Sequence, residues 1–194
     1  MLIVGTDAAQ VEADLVTGRL CCPGCGNSLR PWGHGAEREV RQLERVERRR
    51  FRRSLCPTCK VTHVLVPEDT LVRRRDGAQV VGAALIAKAK GAGHRRVALG
   101  LGRPASTVRG WLRRFAAMAE RLRQHFIRWA HAVEPTFEHR FAGQDAFGDA
   151  VEAIGVLGIV AVRRFGPRPV WSLASVVTGG GLLANTSSLW ATPL

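Results

Sequence analysis

The sequence predicts an α+β protein that is mostly α, on three observations. Two Cys-Pro-x-Cys pairs, Cys22–Cys25 and Cys56–Cys59, lie near the amino terminus with 30 residues between them. Downstream, Gly91-Ala92-Gly93 and Gly102 cut apolar helical runs, as they would between three helices joined by tight turns. From Val108 onward apolar residues recur at about 3.5-residue spacing, the mark of a long helix with a seam. The expected plan has a lead-in helix in 1–20, a cysteine unit in 21–70 and a three-helix unit in 76–133. A carboxy-terminal helical segment in 145–184 and a loose tail in 185–194 complete it.

Thr6-Asp7-Ala8-Ala9-Gln10 has a capping-box signature and opens a short helix through Val11, Leu15 and Val16 that stops at Gly18. Arg19-Leu20-Cys21 then reads as an extended lead into the first cysteine pair. Two thiolates separated by two residues can both reach one ion, and two such knuckles complete a tetrahedral site. Cys22, Cys25, Cys56 and Cys59 are therefore the expected ligands of a structural Zn2+, closed by four protein sulfurs. Gly26 lets the chain turn under the metal, and Lys60 stands in its place after the second knuckle. The long spacing between the knuckles predicts a hairpin arm, with strands in 28–42 and 48–55, and a closing strand at 61–67. Leu29, Trp32, Val40 and Leu43 are its apolar positions. Cys21 is the odd thiol, expected as a buried neighbour or a substitute for Cys22. His34 and His63 are alternative ligands or supporting residues.

Arg45, Arg48, Arg49, Arg50, Arg52 and Arg53 crowd the second arm, partly balanced by Glu37, Glu39, Glu44 and Glu47. They suit either a solvated mixed face or nucleic-acid contact. Residues 68–75 read as a linker. Asp76 and Gln79 then have capping-box spacing for a helix through Lys88, with Val81, Ala84, Leu85 and Lys88 on one side. A second helix follows over 94–101, and Gly102 is where φ > 0 is needed. A third helix starts near Pro104 and Ser106. Val97, Leu101, Val108 and Trp111 are its wedges into a tri-helical core, and Ala98 permits close approach. Ala105, Ser106, Arg109, Gly110 and Arg113 are left facing outward. Small residues followed by arginines one turn on suit a helix lying in a DNA major groove. This is the pattern of a helix-turn-helix.

Val108, Leu112, Phe115, Ala119, Leu122, Phe126, Trp129 and Val133 step by 4, 3, 4, 3, 4, 3 and 4, and Pro135 ends the run. Such a seam binds a second copy through 108–133 or packs on the last third of the same chain. The apolar stretches 150–162 and 170–184 fall short of the roughly 20 residues of a membrane span. Soluble core helices are expected there, and no membrane partner.

Net charge is +13. Residues 1–129 hold 25 Lys and Arg against 11 Asp and Glu; residues 130–194 hold 4 against 5. The basic surface thus lies in the first two-thirds. Of the 29 basic residues only Lys60, Lys88 and Lys90 are lysine, a bias that favours phosphates and guanine edges but also follows from a GC-rich genome. Met1-Leu2-Ile3-Val4 is too short and lacks the basic flank of an export signal. A cytoplasmic, nucleoid-associated protein is expected, in a compartment where paired cysteines favour metal over disulfide.

With these residues in view, the chain resembles a bacterial zinc-ribbon plus helix-turn-helix family commonly met beside transposase genes. The resemblance rests on 22–26, 30–34, 56–59, 62–65, 91–96 and 102–115, and covers about residues 10 to 125. Gly100 departs from the Arg or Ala of the second helix, and Arg103 from the apolar residue usual in the turn. Similar modules open many transposases, where they hold transposon ends. The resemblance therefore implies a mobile-element accessory protein or transcription regulator, with duplex DNA and a transposase as partners.

Arg109 and Arg113 are the expected base or phosphate readers, with Ser106 and Thr107 on phosphate at the helix start. Arg95, Arg96, Arg103 and Arg114 are expected to support them. An enzyme is not expected: Asp145, Asp149 and Glu152 form the one downstream acidic cluster, on a single helix face. The rivals are a DNA-binding fragment of a transposase, and an RNA-binding or scaffold module that uses the ribbon alone.

Overall fold

The computed structural model describes residues 1–141, 143, 145–184 and 190. Among these the protein is α+β, with one four-stranded sheet and six helices. The sheet comprises β1 (Leu2–Val4), β2 (Arg30–Arg41), β3 (Val46–Leu55) and β4 (Thr62–Pro67), in the order β1-β4-β3-β2. β2, β3 and β4 are antiparallel, as the hairpin and closing strand require. β1 was legible only as a run too short for export; it adds in parallel to β4, with Leu2 opposite Leu65.

Helix α1 (Ala8–Val16) is capped by Asp7, whose carboxylate accepts from the Ala9 and Gln10 N–H groups. The reciprocal half of a capping box is missing, because the Gln10 amide bonds to Asp14 instead. Val11 and Leu15 face inward and join Val4, Leu29, Leu65, Cys22 and Cys56 in one apolar cluster. The lead-in segment is therefore part of the cysteine unit's core.

The arm formed by β2 and β3 is mostly solvated on both faces. Leu29 and Val40 are buried as expected, whereas Trp32 and Leu43 stand 53% and 56% exposed. Phe51 fills the space Trp32 leaves unused, packed with Val40 and Val66 under the Arg38 guanidinium.

Residues 68–77 differ from the expected linker. Thr70 and Leu71 are fully buried, and the segment hydrogen-bonds to both flanks: Arg41 N–H to Arg75 O, Ala78 N–H to Asp69 O, Val72 N–H to Gly180 O. It is a packed seam between sheet and helices.

Helix α2 (Ala78–Ala89) starts on Gly77 without a side-chain cap, so the expected Asp76–Gln79 box is not formed. Asp76 turns inward to an ion pair, which uses the carboxylate more fully than a cap would. At the other end Gly91 adopts φ +89, with bonds from Gly91 N–H to Lys88 O and from Ala92 N–H to Ala87 O. That pair of bonds is a Schellman ending. Helix α3 (His94–Leu101) ends on Gly102 at φ +60, the left-handed turn the sequence demanded. Helix α4 (Ala105–Val133) then runs 29 residues.

The seam on α4 packs within the chain. Phe115, Leu122 and Phe126 are fully buried in the same cluster as Ile154, Leu157 and Val160 of α5 (Ala146–Phe165). Burying a side chain of this size contributes roughly 1.5–3 kcal/mol, so α5 is a strong occupant of that face. α6 (Val170–Val177) closes the core through Trp171, which lies over Gly82; a Cβ there would meet the indole at 2.2 Å. His125 ties α4 to the end of α6 at 2.8 Å from Val177 O, and Trp190 packs on its ring. The rest of the expected 185–194 tail lies outside the described residues. No helix is long and apolar enough to cross a membrane, among the described residues.

Candidate metal centre and basic helix

The two cysteine knuckles are near copies. In each, the first cysteine's N–H bonds to the residue five positions on (Cys22 to Asn27 O, Cys56 to Val61 O) and its carbonyl accepts from the residue four on (Gly26, Lys60). Gly26 and Lys60 are both left-handed, at φ +73 and +58. Lys60 thus takes the glycine geometry its position required, although it carries a Cβ.

The four sulfurs of Cys22, Cys25, Cys56 and Cys59 lie within 4.8 Å of one another, and those of Cys25 and Cys56 are 3.5 Å apart. Four thiolates around one tetrahedral Zn2+ stand about 3.8 Å apart, so this set could hold a metal ion. Cys22 and Cys56 are buried; Cys25 and Cys59 sit at the surface. The thiols also share protons unevenly. Cys25 is drawn down to about 6 by a hydrogen bond from the Cys59 thiol and by Asn27, while Cys59 is pushed up to about 12 by Cys25. The hydrogen bond from Cys59 favours the thiolate form of Cys25, and a bound cation would favour it at all four sulfurs.

Supporting contacts come from outside the four. Asn27 Nδ2 donates to Cys25 Sγ at 3.5 Å, and Cys59 N–H to Cys56 Sγ at 3.4 Å. His63 Nε2 lies 3.5 Å from Cys22 Sγ, and burial lowers the imidazole's pKa. His63 is therefore a neighbour of the sulfur cluster, in contact with Cys22 and outside the four-sulfur set. His34 pairs with Arg52 along the hairpin and is not in the cluster. Cys21 corrects an expectation: it is exposed, outside the cluster, with its thiol near Arg19 O.

The arginines of the hairpin arm find partners beyond it. Arg49 makes a bidentate pair with Asp69 at 2.8 and 2.7 Å, and Arg52 one with Glu12 at 2.7 and 3.0 Å. Arg45 and Arg49 also hold Glu47. Much of the arm's charge is thereby spent on holding α1 and residue 69 to the sheet.

The basic residues of the helical unit separate into two groups. Arg95 and Arg96 are exposed at the start of α3, and Ser106, Arg109 and Arg113 along one face of α4. Thr107 is half-buried beside them. None of these arginines pairs with a carboxylate among the described residues. Pro104 precedes α4 with no side-chain cap; the Thr107 and Val108 N–H groups bond Pro104 O, which leaves those of Ala105 and Ser106 outside the helix's own bonds.

Arg103 and Arg114 lie away from that face. Arg103 turns inward: its Nε bonds Asp76 Oδ1 at 2.5 Å, its Nη2 Gln42 O at 3.2 Å and its Nη1 the Leu101 carbonyl. It fastens the turn after α3 to the hairpin's tip. Arg114 lies about 140° around α4 from Arg109 and donates to Gly110 O. Of the acidic trio, Asp145 caps α5 through the Gly148 N–H and Glu152 bonds His139 at 2.7 Å.

Comparison with protein-family models, curated proteins and solved structures finds no match for this chain.

Proposed function

We propose that this is a sequence-specific DNA-binding protein in which α2, α3 and α4 form a helix-turn-helix braced by a zinc ribbon. The observation that carries the reading is the face of α4: Arg109 and Arg113 stand exposed, one turn apart and without carboxylate partners among the described residues, after a left-handed Gly102 turn. A guanidinium in that position can meet guanine O6 and N7 together. Ser106, Thr107 and the first-turn N–H groups of α4 then lie where a backbone phosphate is bound, and Arg95 and Arg96 add phosphate contacts from α3. Zn2+ fits the four sulfurs as a closed structural ion. The protein would serve a mobile element beside its transposase, or regulate transcription.

Binding to duplex DNA and to hairpin RNA across a salt series tests the reading. The expected result is duplex preference with log Kd rising steeply in log salt, by about 0.9 per phosphate contact. Equal or tighter binding of the RNA, with Arg109→Ala without effect, favours the ribbon as the binding element and contradicts the helix.

A further inference from the structure

A second concentration of positive charge lies away from the exposed face of α4. It is a cleft of about 390 Å³ where the 68–77 segment, α4 and the turn after α6 meet. Arg73, Arg74 and Arg114 line it, and no acidic residue does; Leu71, Leu183 and Gly180 are among the remaining walls. Residues 185–194, which follow directly on its rim at Ala184, contain no acidic side chain.

Two features set this cleft apart from a solvated arginine cluster. Arg74 Nε is buried with no hydrogen-bond partner, while its Nη2 is anchored on Leu183 O at 3.3 Å. Burial, with the nearby Arg114 charge, pulls the Arg74 pKa below its usual value. Arg73, the neighbour, holds φ +59, a conformation that costs any residue with a Cβ and that needs support from its surroundings. The support is visible. Val72 N–H bonds Gly180 O at 3.0 Å, and Gly180 is pressed so close that a Cβ on it would meet Val72 Cγ2 at 2.5 Å.

We propose that this cleft binds a phosphate-type oxyanion through Arg73, Arg74 and Arg114. Guanidinium forks match a phosphate's oxygens, and three arginines with no acidic lining residue beside them leave charge for an anion to balance. The phosphate comes either from a free phosphorylated molecule or from the backbone of bound DNA. In the second case the contact lies well round α4 from Arg109 and extends the footprint without reading bases. The site itself does not depend on DNA binding.

Calorimetric titration of the full chain with inorganic phosphate and with pyrophosphate, at constant ionic strength, is the test. Two variants accompany it: Arg74→Gln, and Arg73→Gly, in which glycine keeps the left-handed backbone. Anion affinity should fall at least tenfold in each, while the Tm of Arg73→Gly stays level or rises. Should Arg74→Gln fail to fold, Arg73→Gly decides alone. If the phosphate belongs to DNA, free anions bind weakly and Arg73→Gly instead shrinks the salt slope of duplex binding by about one unit. Wild-type anion affinity unchanged by Arg73→Gly, or absent, together with an unchanged salt slope, overturns the proposal. A chain that bound no DNA yet bound pyrophosphate through Arg73 would sink the helix-turn-helix reading and leave this one standing.

Discussion

Replacing Cys56 by serine should unfold the whole amino-terminal unit, sheet and α1 included. A structural zinc site contributes on the order of 10–16 kcal/mol, as much as the entire stability of an ordinary domain. Cys56 is fully buried and shares its apolar cluster with Leu15, Leu29 and Leu65, so the damage spreads beyond the knuckle. Cys25→Ser, at the exposed edge, should lose the metal just as completely. Metal analysis should find one zinc per chain in the wild type and none in either variant, with circular dichroism showing loss of strand signal. Acidification should release the ion, since the sulfurs bind only as thiolates. A wild-type chain that stays folded without metal, its four thiols all open to alkylation, contradicts the account.

The second large effect is expected at Asp76. Its side chain is 7% exposed and that of its partner Arg103 15%. Removing one member of a buried pair leaves an uncompensated charge and costs about 3–5 kcal/mol. Asp76→Ala should fall at the low end, because Gln42 O and Leu101 O still accept from the guanidinium. Asp76→Ala/Arg103→Met should regain part of the loss, as no buried charge is then left alone. Urea denaturation measures both. An Asp76→Ala chain of undiminished stability, combined with weakened DNA binding in Arg103→Ala, would return Arg103 to the surface role its position in the turn suggests.

That pair shows where the sequence stops being legible. Asp76 three residues before Gln79 is a local capping signal, and the helix does begin there. What the carboxylate does, however, is decided by Arg103, 27 residues away. Arg49 and Arg52 teach the same point: their partners, Asp69 and Glu12, lie outside the hairpin. Local geometry was readable because it depends on near neighbours. The left-handed turn at Gly102, the helix stops at Gly18 and Gly91, and the end of α4 before Pro135 all belong to this class. The heptad register of α4 was equally plain, but a seam of 3.5 spacing does not say which chain fills it; α5 does. Strand β1 could not be read, since a three-residue parallel edge strand has no periodicity to detect. The arginine cleft was hidden for a similar reason. Arg73 and Arg74 look like part of a basic linker until Gly180 and Arg114 are brought beside them.

The exposed face of α4 is the proposed reading element. Arg109 is exposed on α4, while Val108 and Trp111 fix the helix by their burial in the core. Truncating Arg109 should therefore leave stability unchanged. Affinities of the wild type and Arg109→Ala for a duplex selected from a random pool, and for its scrambled counterpart, are the direct measurement. Arg109→Ala should lose about 1–3 kcal/mol of preference for the selected site, with scrambled DNA bound nearly as before. Arg95→Ala should instead weaken both duplexes alike and lower the salt slope by about one unit. Unchanged discrimination in a folded Arg109→Ala chain would contradict the claim that α4 reads DNA.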